Sequence, residues 1–162
     1  MDRLGERAEV CLAVEGLALT ADTDEAAIAA QEARWQGFPY LSDERLAEAI
    51  QRRFDQALAA ARGDAAALQS LREGQADHLA RRGELCLHME VLAGIESPPE
   101  AREARMAFQV SRLSAAMQEG RPDDAEEALR VEQDWYLTGH AGGEEPALQA
   151  RFRRALAAIA RG

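Results

Sequence analysis

The chain has 162 residues, 29 of them acidic and 19 basic, for a formal net charge of −10. That length suits one domain or two small ones, and it buries enough surface to fold without disulfide staples. The charge repels nucleic-acid backbone and anionic lipid, so non-specific binding to either is disfavoured. Every basic residue is Arg and there is no Lys or Asn, which we read as codon composition and not as selection for Arg chemistry.

Ala, Leu, Glu, Arg and Gln dominate and no stretch alternates apolar and polar residues, so the expected fold is all-α. A first helix is expected over Arg3–Leu19, with Leu4, Ala8, Cys11, Val14 and Leu17 on its apolar face. Asp22-Thr23-Asp24-Glu25 reads as a turn leading into a second helix, Asp24–Gln36, which Gly37 and Pro39 stop. Ser42 is the expected N-cap of a third helix carrying Leu46, Ile50, Phe54, Ala57 and Leu58. Asp64 can cap a long segment, Ala65–Ala93, whose seam runs Leu68, Leu71, Gln75, His78, Arg82, Leu85, Met89 and Leu92. As one helix it would be about 44 Å long and would make the molecule elongated. Gly74 offers a point for a kink or break. Ser97-Pro98-Pro99-Glu100 has the form of a capping box. It opens a helix whose Met106, Val110, Leu113 and Met117 form a 4-3-4 stripe, expected to lie in the core. Further helices are expected over Pro122–Leu137 and Glu145–Ala160, with a flexible loop at Gly139, Gly142 and Gly143 between them.

The chain repeats itself. Residues 9–18 align with 84–93 at an offset of 75, with six of ten positions identical. Glu32 and Trp35 match Glu132 and Trp135 at an offset of 100, and residues 53–60 match 151–158 at 98, six of eight identical. The chain's two Cys and two Trp fall in register and in order. We read two divergent copies of one helical unit, residues 1–63 and 64–162, joined through helix 65–93. The second copy carries about 25 extra residues between its Cys helix and its Trp. Trp35, Trp135, Phe54 and Phe152 should be core anchors.

Trp35 with Gly37 and Pro39 behind it, Leu46, Arg53-Phe54 and Ala57 make a pattern. With Leu85-Cys86-Leu87, Glu90-Val91-Leu92, Glu96-Ser97-Pro98, Arg105-Met106 and Gln109-Val110, it resembles the bacterial domain of unknown function 349. That resemblance implies an all-helical, coiled-coil-like protein of unassigned role. It carries over no catalytic residue.

Chemistry is sparse. Cys86 and Glu90 lie at i, i+4, but His88 is two residues from Cys86 and points elsewhere, so a metal site is not expected. Cys86 reads as a core thiol and Glu90 as a surface acid. Asp123-Asp124, Glu126-Glu127 and Glu144-Glu145 sit near helix N-termini, where carboxylates suit the dipole and solvent. No nucleophile-elbow or phosphate-loop pattern is present, and His140 is expected to be exposed. The last helix is locally basic: Arg151, Arg154 and Arg161, with Arg153 beside them, could dock an acidic partner or RNA.

The expectation is therefore a non-enzymatic helical interaction or scaffold module without cofactor or metal, binding a protein partner that the residues do not identify. The alternative is a nucleic-acid-associated accessory protein using the Arg-rich last helix. The first twenty residues are charged and no run of about 18 apolar residues occurs, arguing against a secretory signal and a membrane span. Two apolar-helix thiols point to a reducing compartment, hence the cytoplasm.

Overall fold

The computed structural model describes residues 3–21 and 24–161. Among these the chain forms seven α-helices and no strand. They are α1 (Arg3–Leu19), α2 (Glu25–Gln36), α3 (Glu44–Ala61), α4 (Ala65–Ala93), α5 (Arg102–Glu119), α6 (Asp124–Leu137) and α7 (Glu145–Arg161). A single 3-10 turn, Pro99–Ala101, precedes α5.

Local chemistry explains the boundaries. The Asp24 carboxylate accepts from the backbone N–H groups of Ala26 and Ala27 and caps α2; Asp22 and Thr23 of that turn lie outside the described residues. Asp43, not Ser42, caps α3: it directly precedes the first helical residue and its carboxylate accepts from Leu46 N–H. Asp64 caps α4 through Ala67 N–H. At the far end Gly94 enters the left-handed region (φ +70°), and Ile95 N–H reaches back to the Glu90 carbonyl.

α4 is continuous over all 29 residues, with no break at Gly74. The glycine serves packing instead. A Cβ on Gly74 would lie 2.9 Å from the His78 ring, and one on Gly139 would lie 2.4 Å from it. The imidazole therefore occupies space that both glycines leave open, and its Nδ1 lies 3.1 Å from the His140 carbonyl oxygen. The glycine loop is thus packed against α4 and built around a side chain. His140 is half-buried, not exposed, and its own Nδ1 accepts from Gly142 N–H. Gly139→Ala should lower stability by about 1–3 kcal/mol, the range for overpacking. The same change in a His78→Ala background should cost little, as urea melts of the four proteins would reveal.

The helices divide into two compact units. The first runs to Leu79 and takes in Tyr136–Gly143; the second holds Ala80–Trp135 and the residues from Glu144. The division falls inside α4, not at residue 63, because Ala67, Leu68 and Leu71 pack on the first unit's core with Tyr136 and Leu137. That core is built from Val10, Cys11, Val14, Ile28, Trp35, Ile50, Phe54 and Ala57. The second unit buries Leu85, Cys86, Met89, Val131, Trp135, Leu148, Phe152 and Ala155.

The two units repeat one internal arrangement. Trp35 stacks on Phe54 with centroids 4.1 Å apart and planes 3° off parallel; Trp135 stacks on Phe152 at 4.0 Å and 4°. Arg7 stands over Trp35 and Arg82 over Trp135, at 5.2 and 4.3 Å from the ring centroids. The Cys11 thiol points to the Ile50 carbonyl and the Cys86 thiol to that of Leu148, positions 98 apart like the two Phe. Arg53 holds Glu15 and Arg151 holds Glu90, each through two parallel N–H···O bonds.

Candidate functional site

The shared constellation holds each copy together; its groups are committed to one another. Burial pushes both thiols up to about 12, so they stay protonated and unreactive. Glu15 and Glu90 are buried acids, so Glu90 is no surface carboxylate. Arg151 is correspondingly not a surface cation. Its guanidinium lies against Glu90 at 2.7 Å on two atoms, and the hydrogen bonds to Glu90 raise its already high pKa. Of the basic residues expected on the last helix, Arg153, Arg154 and Arg161 remain exposed. The structure thus takes one member out of that dock.

Two further acids read as solvated are internal. Glu145 is buried and pairs with Arg82 at 2.9 Å. Glu127, also buried, takes a hydrogen bond from Arg112 at each oxygen (3.1 and 2.8 Å), and its Oε1 lies 2.7 Å from His88 Nε2. Asp123, Asp124, Glu126 and Glu144 are exposed, as their positions at helix starts suggest.

The Glu127 cluster joins three helices: His88 from α4, Arg112 from α5 and Glu127 from α6. The His88 ring also lies 4.8 Å from that of Phe108 on α5. Nearer the start of α5, Arg105 bonds to the Ile95 carbonyl and to the Ser97 hydroxyl, which itself donates to Glu90 at 2.7 Å. Ser97 is therefore not the helix cap that its sequence context suggests. Its hydroxyl ties the extra segment to the repeated ion pair.

These bonds fix which way α5 faces. The side chains turned toward its own unit are Arg105, Phe108, Arg112 and Ala116, a row that is half cationic. The neighbouring face, turned away from the unit, is Met106, Val110, Leu113 and Met117, and these are 64%, 63%, 65% and 82% exposed. α5 has no buried residue. Met89, on the apolar seam of α4, is fully buried, whereas Met106 and Met117 are not core at all. A surface helix ordinarily turns its apolar stripe inward and its charges out. Here the order is reversed, on the one helix that the first copy lacks.

An open cleft of about 720 Å³ lies between α4, α5 and α6 and includes Leu85, His88, Phe108, Arg130 and Val131. Several of its charges are engaged: Arg81 pairs with Glu84 and Asp134, and Glu127 with Arg112 and His88. It presents no nucleophile with an adjacent base. Among the described residues no three His, Cys, Asp or Glu side chains gather as metal ligands, and no helix is long and apolar enough to cross a membrane.

No family model, curated protein or solved structure matches this chain.

The hydrogen bonds from Arg112 hold the Glu127 carboxyl below its ordinary 4.5. A carboxylate with a lower pKa folded than unfolded adds stability above the unfolded value and loses it as pH falls through the folded one. Arg112→Ala should thus lower stability at neutral pH and shrink the acid-side loss. Urea midpoints stepped down through the carboxylate range would check this; parallel curves for the two proteins would contradict it.

Proposed function

We propose that this chain is a non-enzymatic helical interaction module that docks a protein partner on the outward face of α5. The reversed orientation of α5 carries the reading. Arg105 and Arg112 are spent on inward bonds, while four large apolar side chains stand in water. Contiguous apolar exposure of this kind marks interaction surfaces. The duplicated core supplies a rigid base, and the segment added to the second copy supplies the contact. The resemblance to the bacterial domain of unknown function 349 accords with this role without specifying it, and a cytoplasmic location fits the buried, unpaired thiols.

A photo-crosslinking amino acid at position 113, introduced in cells, tests the reading against the same probe at exposed position 154. Adducts concentrated at 113 support it; yields no higher than at 154 overturn it. The nucleic-acid reading now rests on Arg153, Arg154 and Arg161 alone, set on a chain of net charge −10. A low-salt gel shift with no complex at micromolar protein would remove it.

A further inference from the structure

We infer that the cleft beside Arg7 in the first unit binds a small zwitterionic acid, whose carboxylate is received by the Arg7 guanidinium and the Gln51 amide. The site is separate from the α5 face and does not depend on the docking reading.

The two copies differ at one carboxylate. In the second, Arg82 is buried over Trp135, and its Nε lies 2.9 Å from Glu145 Oε1. Gln149 Nε2 donates to the other Glu145 oxygen at 2.8 Å. Two donors thus hold one buried carboxylate. The first copy keeps both donors. Arg7 matches Arg82 at the offset of 75, and Gln51 matches Gln149 at 98, the offset that also relates Ile50 to Leu148 and Phe54 to Phe152. At that same offset Glu145 falls on Ala47. A methyl group stands where the second copy has its carboxylate.

Arg7 shows the consequence. It is 8% exposed, and its Nε, the atom that Arg82 turns to Glu145, has no acceptor among the described residues. Its guanidinium donates to the Pro39 carbonyl and lies 5.2 and 5.4 Å from the Trp35 and Phe38 ring centroids. Aromatic faces attract a cation, but they do not replace the directed bonds of a carboxylate in the guanidinium plane. Burial accordingly holds this guanidinium below its ordinary pKa. A buried cation without its acid is costly to keep. Gln51, lacking the partner that Gln149 has, turns its amide to Asp55 on the surface at 2.9 Å.

Arg7, Ala47 and Gln51 line one open cleft of about 770 Å³, a size that suits a small molecule. The carboxylate absent from position 47 can therefore come from outside. The rim decides what else the ligand carries. It holds Glu44, Glu48 and Asp55 against Arg52. Glu44 and Glu48 are exposed and one turn apart on α3, a spacing at which like charges disfavour a helix. A simple anion meets their repulsion. A zwitterion sets its cationic end between them and its carboxylate at Arg7.

The zwitterion ε-aminocaproate is the probe, with caproate and pentylamine as the same molecule lacking one charged end. Titrated into the isotope-labelled full chain, it should move the Arg7 Nε–H magnetic resonance signal with millimolar affinity; Arg7→Lys, which removes that signal, assigns it. Loss of either charged end should weaken binding about tenfold or more, the worth of a hydrogen bond to a charged group. Ala47→Glu supplies the carboxylate from within. It should move the same signal without ligand, raise the urea midpoint and abolish the response to ε-aminocaproate. Gln51→Ala, at an exposed position, should weaken binding and leave melting unchanged. An Arg7 signal unmoved by ε-aminocaproate at tens of millimolar overturns the inference, as does binding that persists undiminished in Ala47→Glu. Caproate bound as tightly as ε-aminocaproate overturns the zwitterion assignment.

Discussion

Glu90→Ala should destabilise the protein by about 3–5 kcal/mol, the cost of removing one partner from a buried ion pair. Both Glu90 oxygens accept from Arg151 at 2.7 Å, and one also accepts from Ser97 Oγ. The Glu90 side chain is wholly buried and that of Arg151 is half-buried, 15% exposed. Truncation leaves a guanidinium with little water and without its two acceptor oxygens, and it frees the hydroxyl that connects to Arg105. Against a typical total stability of about 5–15 kcal/mol, such a loss approaches the unfolding limit. Arg81→Ala is the control, since its bridge to Asp134 is about half exposed and worth under about 1 kcal/mol. The double change Glu90→Leu with Arg151→Met should recover most of the loss, because replacing a buried pair with apolar groups is often neutral or stabilising. Urea denaturation followed by circular dichroism decides the matter. A Glu90→Ala cost no larger than that of Arg81→Ala would show the pair to be solvated.

The same pair marks how far the sequence could be read. Glu15 with Glu90, and Arg53 with Arg151, each occupy matching places in the aligned segments, yet nothing in a helix-by-helix pass joins residues 38 or 61 positions apart. Charges are assigned to solvent by default, since they are seldom buried unless paired. The available signal was coincidence: an acid and an Arg both kept in both copies, while most surrounding surface residues changed. Arg7 and Arg82 stand at the same offset of 75 and went unread for the same reason. Helix limits were legible because they depend on local chemistry, such as Asp24, Asp64 and Gly94. The aromatic anchors were legible because the repeat singled them out.

The direction of α5 was not legible. A 4-3-4 apolar stripe says that a helix has an apolar face, but not that the fold provides anything to cover it. Arg105, Phe108 and Arg112 make a second row beside the first, and the choice between rows depends on Ile95, Ser97, His88 and Glu127. One clue was present. The segment has no counterpart in the first copy, so the repeated architecture holds no matching apolar face for it. A core assignment for Met106 and Met117 needed a neighbour that the duplication does not supply.

Trp135→Ala is the second large expectation, at about 3–5 kcal/mol for removing a buried Trp. The ring lies parallel to that of Phe152 at 4.0 Å, and the Arg82 guanidinium carbon is 4.3 Å from its centroid. Truncation removes both contacts and opens a void beside Arg82, a buried cation that also depends on Glu145. Stacked rings and a desolvated cation over an indole each add to the burial term. Trp135→Phe keeps an aromatic against Phe152 and should cost clearly less. Trp35→Ala removes the equivalent stack from the first unit, where the ring meets Phe54 at 4.1 Å and Arg7 at 5.2 Å. If the two copies are built alike, its cost should match that of Trp135→Ala within about 1 kcal/mol, the spread normal for one substitution in differing surroundings. Chemical denaturation read by far-ultraviolet circular dichroism suits both variants, since it does not depend on the Trp being removed. A Trp whose truncation passes unnoticed while the other is severe would mean that only one copy still relies on the stack.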